Sequence, residues 1–130
     1  MEGGLSVKYF GSWNGYEDMV ESFSDYDYLQ SKAIPPADMP KPNEVLFAAY
    51  DIAGYEGSAL VIFKSGDELK IVEGSHCSCN ELNDCWHPDL TSWKTLKLQA
   101  DAMEKHAYWP LSELPEARKA FISLVKRNLS

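Results

Sequence analysis

Three apolar segments in the middle of the chain are separated by connections too short for a parallel crossover. Residues 45–50 form the first segment. Residues 58–64 form the second, with Ala59, Leu60, Val61, Ile62 and Phe63 in succession. The third alternates Leu69 and Ile71 about Lys70. Neighbouring parallel strands need a dozen or more residues between them, usually a helix. The links here are residues 51–57, with Gly54 and Gly57 around Tyr55-Glu56, and the turn Ser65-Gly66-Asp67. Both suit hairpins, so the segments predict a three-stranded antiparallel meander. The unbroken apolarity of residues 59–63 predicts a strand buried on both faces.

The flanks read differently. Residues 7–10 are a short candidate strand. Asn14 has the position of a helix N-cap, with Glu17 three residues on as in a capping box. Tyr16, Met19, Val20 and Phe23 then recur on one helical face. Pro35, Pro36, Pro40 and Pro42 exclude a helix or central strand across 33–43, which is expected to be an extended connector. The cysteine-bearing segment 74–88 is irregular by composition. A second helix should follow with Trp93, Leu96 and Leu98 as apolar positions and Asp89 or Thr91 as its cap. A last helix should begin after a Ser112 cap, with Glu113 and Glu116 in its first turn. Its apolar stripe is Leu114, Ala117, Phe121, Leu124 and Val125, and Lys126 and Arg127 close it as the helix dipole prefers. The expected fold is α+β: a small antiparallel sheet of three to four strands, with N- and C-terminal helices packed on one face. At 130 residues the chain is one domain, 1–130.

Charge is segregated. Residues 1–51 carry nine acids and three bases, 52–90 seven and two, and 91–130 four and seven. The net charge of −8 argues against a phosphate-neutralising face for nucleic acid. No apolar run approaches the roughly 20 residues of a membrane helix. The opening Met1-Glu2-Gly3-Gly4 has neither the basic nor the apolar region of a signal peptide, so a cytoplasmic location is expected. Glu17, Glu21 and Asp25 fall at intervals of four, with Asp18 beside them and no base between Lys8 and Lys32. Like charges so spaced cost a helix a few tenths of a kcal/mol per pair. Their position near the helix start recovers part of that. Local stability is therefore an incomplete reason for the ridge. Trp13, Tyr26, Asp27 and Tyr28 lie beside it, and aromatic residues among acids suit a protein–protein surface. Trp13, Tyr26 and Tyr28 are expected to be exposed.

The cysteines are clustered in Gly74-Ser75-His76-Cys77-Ser78-Cys79 and Cys85-Trp86-His87. Cys77, Cys79, Cys85 and His87 (or His76) have the ligand types of a tetrahedral zinc site. The Cys-x-Cys spacing departs from the usual two to four intervening residues, although an extended backbone places both sulfurs on one side. A second chemistry would use Cys77 or Cys79 as a nucleophile with His76 or His87 as base and Asp84 or Asp89 to orient it. A third reading makes these residues a packed structural corner.

Tyr55-Glu56-Gly57, Ala59, Val61, Phe63, the GSHCSC string at 74–79, and Trp86 with Pro88 together resemble a group of small phage and prophage proteins. The resemblance covers residues 45–96 and requires neither Cys85 nor His87. It implies a phage origin and action in the cytoplasm of a bacterium, and supplies no reaction or cofactor. The expected function is therefore binding: an acidic accessory protein that docks on a basic host protein, one that handles nucleic acid or serves in defence, and inhibits it. The candidate surface is Trp13, Glu17, Asp18, Glu21, Asp25, Tyr26, Asp27 and Tyr28. The alternatives are a zinc-stabilised binding domain and a Cys/His-dependent enzyme acting on a small molecule.

Overall fold

The computed structural model describes residues 8–53, 56–76, 82, 85–105 and 114–129. In chain order the elements are β1 (Tyr9–Gly11), α1 (Tyr16–Phe23), β2 (Asp25–Asp27) and β3 (Lys32–Ile34), then a 3-10 turn at Pro42–Glu44. The meander follows as β4 (Val45–Ala53), β5 (Glu56–Ser65) and β6 (Glu68–His76). β7 (Asp89–Thr91), α2 (Trp93–Lys105) and α3 (Pro115–Leu129) complete the molecule.

The fold is α+β, and its meander is antiparallel as the short links require. The strands outrun their apolar signal. Residues 51–57, expected as a loop, are largely strand, with Asp51 opposite Ser58 and Ile52 opposite Gly57. Gly74, Ser75 and His76, expected in an irregular segment, instead finish β6 opposite Ala59, Ser58 and Gly57. The ladder continues because every backbone N–H and C=O removed from water needs a partner, whatever its side chain. Two short strands raise the sheet to five, in the order β1-β4-β5-β6-β7, beyond the three to four expected. β1 runs parallel to β4. β7 takes the residues expected to cap the second helix, and the cap is Ser92, whose hydroxyl accepts the Thr95 N–H at 3.1 Å.

The helices do not share one face of the sheet. Phe47, Ala49, Leu60, Ile62, Leu69 and Ile71 point toward α2 and α3, where Leu96, Met103, Phe121 and Val125 meet them. Ala48, Tyr50, Ala59, Val61, Phe63 and Val72 point the other way, toward Met19 and Phe23 of α1 and toward Trp13, Leu82 and Trp86. The reason is β5, whose Ala59–Phe63 run is fully buried and so needs cover on both sides. Leu98, expected at the core, is exposed on α2. Ser112 and Glu113 lie outside the described residues.

The proline-bearing connector closes the α1 side. β3 ends at Ile34 before Pro35. The Trp86 indole N–H donates to the Asp38 carboxylate at 2.7 Å, and the Tyr16 hydroxyl donates to the Pro40 carbonyl. Trp86 is held between aromatic rings, edge-on to Phe23 and stacked on Phe63. Trp86 thus has a packing role. Gly74 has one too: a Cβ there would lie 3.1 Å from the Cβ of Cys85.

Candidate docking surface

α1 turns Met19 and Phe23 to the core and leaves Glu17, Asp18 and Glu21 exposed on its outer side. Its N-cap is Gly15, without a side-chain cap, and not Asn14. The contact runs the other way, with the Asn14 N–H donating to the Asp18 carboxylate at 2.9 Å. α1 stops at Phe23, so Asp25 belongs to β2 instead of extending the helical ridge.

β2 and β3 form a separate two-stranded hairpin beside α1. At its tip the Asp27 carboxylate accepts the N–H groups of Leu29 and Gln30, at 2.9 and 3.3 Å. This is the local turn that Asp favours, and it holds Tyr28 and Leu29 outward. Tyr28 is 84% exposed and Leu29 is 99% exposed. Tyr26 and Tyr28 meet edge to face with ring centroids 4.7 Å apart. Ser31, at φ +53, turns the chain into β3.

Trp13 does not belong to this surface. It is 2% exposed, lies against Phe23 and Tyr50, and donates its indole N–H to Ser22 at 2.8 Å. The hydrophobic requirement of the second core outweighed the polar sequence around it.

A cleft of about 810 Å³ opens between α1, the hairpin and the end of β4. Glu21, Asp25, Tyr26 and Lys32 line it, with Tyr50, Ile52 and Leu82 on its floor. Leu29, Ile34 and Ile52 were not among the residues singled out from sequence, yet all three are exposed apolar side chains on this side. Ile34 and Ile52 carried no signal, because strands with one wet face and strands with none look alike when so short.

Lys32 lines the cleft, whereas Lys8, Lys97 and Lys126 lie away from α1. Lys97 pairs with Asp101 at 2.6 Å and Lys126 with Glu104 at 3.2 Å, all on α2 and α3. Lys8 donates to the carbonyls of Pro42 and Val45. Among the described residues, no ion pair joins Glu17, Asp18 or Glu21 to a base.

Cys77, Cys79 and Asp84 lie outside the described residues, so the proposed nucleophile and two of the zinc ligands do too. Cys85 is half-buried and His87 exposed. Among the described residues, no group of three or more His, Cys, Asp or Glu side chains is placed to hold a metal ion. No helix among them is long and apolar enough to cross a membrane. No family model, curated protein or solved structure matches the chain.

Proposed function

We propose that this chain is a binding protein: a phage-type accessory protein that acts in the cytoplasm of a bacterium, docks on a basic host protein and inhibits it. The target is a protein that handles nucleic acid or serves in defence, whose cationic surface is complementary to this one. The chain contacts neither nucleic acid nor membrane in this reading, and docking through this surface calls on no cofactor. The observation that carries the proposal is the separation of charge across the sheet. Glu17, Asp18 and Glu21 stand on one side without basic partners among the described residues, while the lysines of α2 and α3 occupy the opposite side. Tyr26, Tyr28 and Leu29 supply apolar and aromatic area beside the carboxylates, the combination that anchors interfaces.

The test is reversal of three carboxylates together, Glu17→Lys, Glu21→Lys and Asp25→Lys, measured as affinity for a host protein captured by the unmodified chain. Loss of at least about tenfold is expected, since misplaced like charges at an interface cost several kcal/mol. Unchanged affinity removes the reading.

A further inference from the structure

Beside the cleft, a narrower groove runs between α1 and the chain that leaves β3. Tyr16 and Val20 are neighbours on one strip of α1, and Ser24 continues that strip at the helix C-cap. Ala33 of β3 and Pro35 beyond it make the other wall. The hydroxyls along the groove are already engaged: Tyr16 donates to the Pro40 carbonyl, and Ser24 donates to the Val20 carbonyl at 2.6 Å. What these walls offer is therefore hydrocarbon and the ring of Tyr16. They are held in place, because Tyr16 and Val20 pack on the core beneath α1 and the Pro35 ring locks its own φ. Glu17 and Glu21, one helical turn apart and exposed, complete the lining. Neither carboxylate forms an ion pair among the described residues. Lys32 lines the cleft but not the groove, so the groove carries negative charge alone. Its volume of about 200 Å³ falls below the range of about 300–1,000 Å³ typical of small-molecule sites, and suits a single side chain.

We infer that this groove receives one arginine side chain of the partner, its methylene stem along Val20, Ala33 and Pro35 and its guanidinium between Glu17 and Glu21. The inference rests on the acidic-surface reading and names the side chain that the surface recognises. An apolar floor under a charged rim matches a residue that buries its stem while its head stays at the surface. Two carboxylates one turn apart, with Cβ atoms about 5–6 Å from each other, suit a planar fork of five donors that can bond both. The Tyr16 ring adds a face on which a guanidinium stacks. A lysine fits less well. Its ammonium is compact and more strongly hydrated, so it reaches fewer carboxylate oxygens and loses more water against the apolar wall.

The test is a titration of the full chain with N-acetylarginine amide and, separately, N-acetyllysine amide, followed residue by residue through the backbone amide NMR signals. Arginine should give saturable shifts centred on Val20, Glu21 and Ala33, with a Kd on the order of 1 mM and at least about threefold below that of lysine. Ala33→Trp fills the groove and leaves every charge in place, and should weaken arginine at least about tenfold. Glu17→Gln with Glu21→Gln should do the same, whereas Asp18→Asn, outside the lining, should change the Kd less than about twofold. If Ala33→Trp does not fold, the two glutamine variants and Asp18→Asn decide the matter, because all three replace exposed side chains. Arginine binding that survives Ala33→Trp, or that falls equally with Asp18→Asn, overturns the groove while leaving the acidic-surface reading to its own charge-reversal test. Equal affinity for lysine, or no saturable shift at these residues, also overturns the inference.

Discussion

Trp13 and Tyr28 are both aromatic residues near the acidic ridge, and their burial assigns them opposite jobs. Trp13 fills the core under α1, so Trp13→Ala should cost about 3–5 kcal/mol of stability, read from denaturant unfolding. A loss under about 1 kcal/mol would return Trp13 to the surface. Tyr9 makes a separate prediction. Its hydroxyl is buried and finds no hydrogen-bond partner among the described residues. Burial, with a smaller contribution from Tyr16, lifts its pKa above that of an ordinary tyrosine. The folded state thus holds the proton more tightly than the unfolded chain. Stability is fully retained below the unfolded pKa of about 10 and falls as pH climbs through the raised value. Tyr9→Phe should raise stability at neutral pH by about 1 kcal/mol and flatten the alkaline loss, both measurable by urea unfolding at several pH values. The identity of the buried tryptophan was not legible in the sequence. Its neighbours Ser12 and Asn14 are polar, and the partners that bury it, Phe23 and Tyr50, are distant along the chain.

At the level of elements, the meander was legible because Leu60, Val61 and Ile62 have no polar neighbour to face solvent, and because a few residues cannot span a crossover. The same run also held the answer to where the helices go: a strand buried on both faces needs cover on both. The one-face arrangement conflicted with that signal, and the structure resolves the conflict in favour of burial. The β2–β3 hairpin was less legible. Asp25–Asp27 and Lys32–Ile34 are short and wet, and their pairing owes little to apolar patterning. Both lie outside the two main cores. Tyr28→Ala with Leu29→Ser at the tip should therefore change unfolding stability by less than about 0.5 kcal/mol. The same pair should weaken host-protein binding by at least about tenfold, as truncation of an interface anchor does. A variant that unfolds easily, or one that binds as before, would show that the tip is structural or idle. The cysteine segment divides in the same way: Gly74 and Trp86 have packing roles, whereas Cys77 and Cys79 lie outside the described residues.

Across the whole molecule, the sheet acts as a partition between two electrostatic faces. Among the described residues, the exposed carboxylates Glu17, Asp18 and Glu21 stand on the α1 side and the lysines of α2 and α3 on the other, so part of the charge asymmetry of the chain becomes an asymmetry of the surface. Such a molecule should be drawn to cations through one face only, and salt should weaken that attraction with a screening length of about 10 Å at 0.1 M. The direct measurement is the association constant with the captured host protein as salt is raised from about 0.05 to about 0.5 M. It should be made for the unmodified chain, for Glu17→Lys with Asp18→Lys, and for Lys94→Glu with Lys119→Glu on the opposite face. The account predicts a steep fall with salt for the unmodified chain, a weak and nearly flat response after reversal on α1, and little change after reversal on α2 and α3. A salt-independent constant, or equal losses from both reversals, would contradict it.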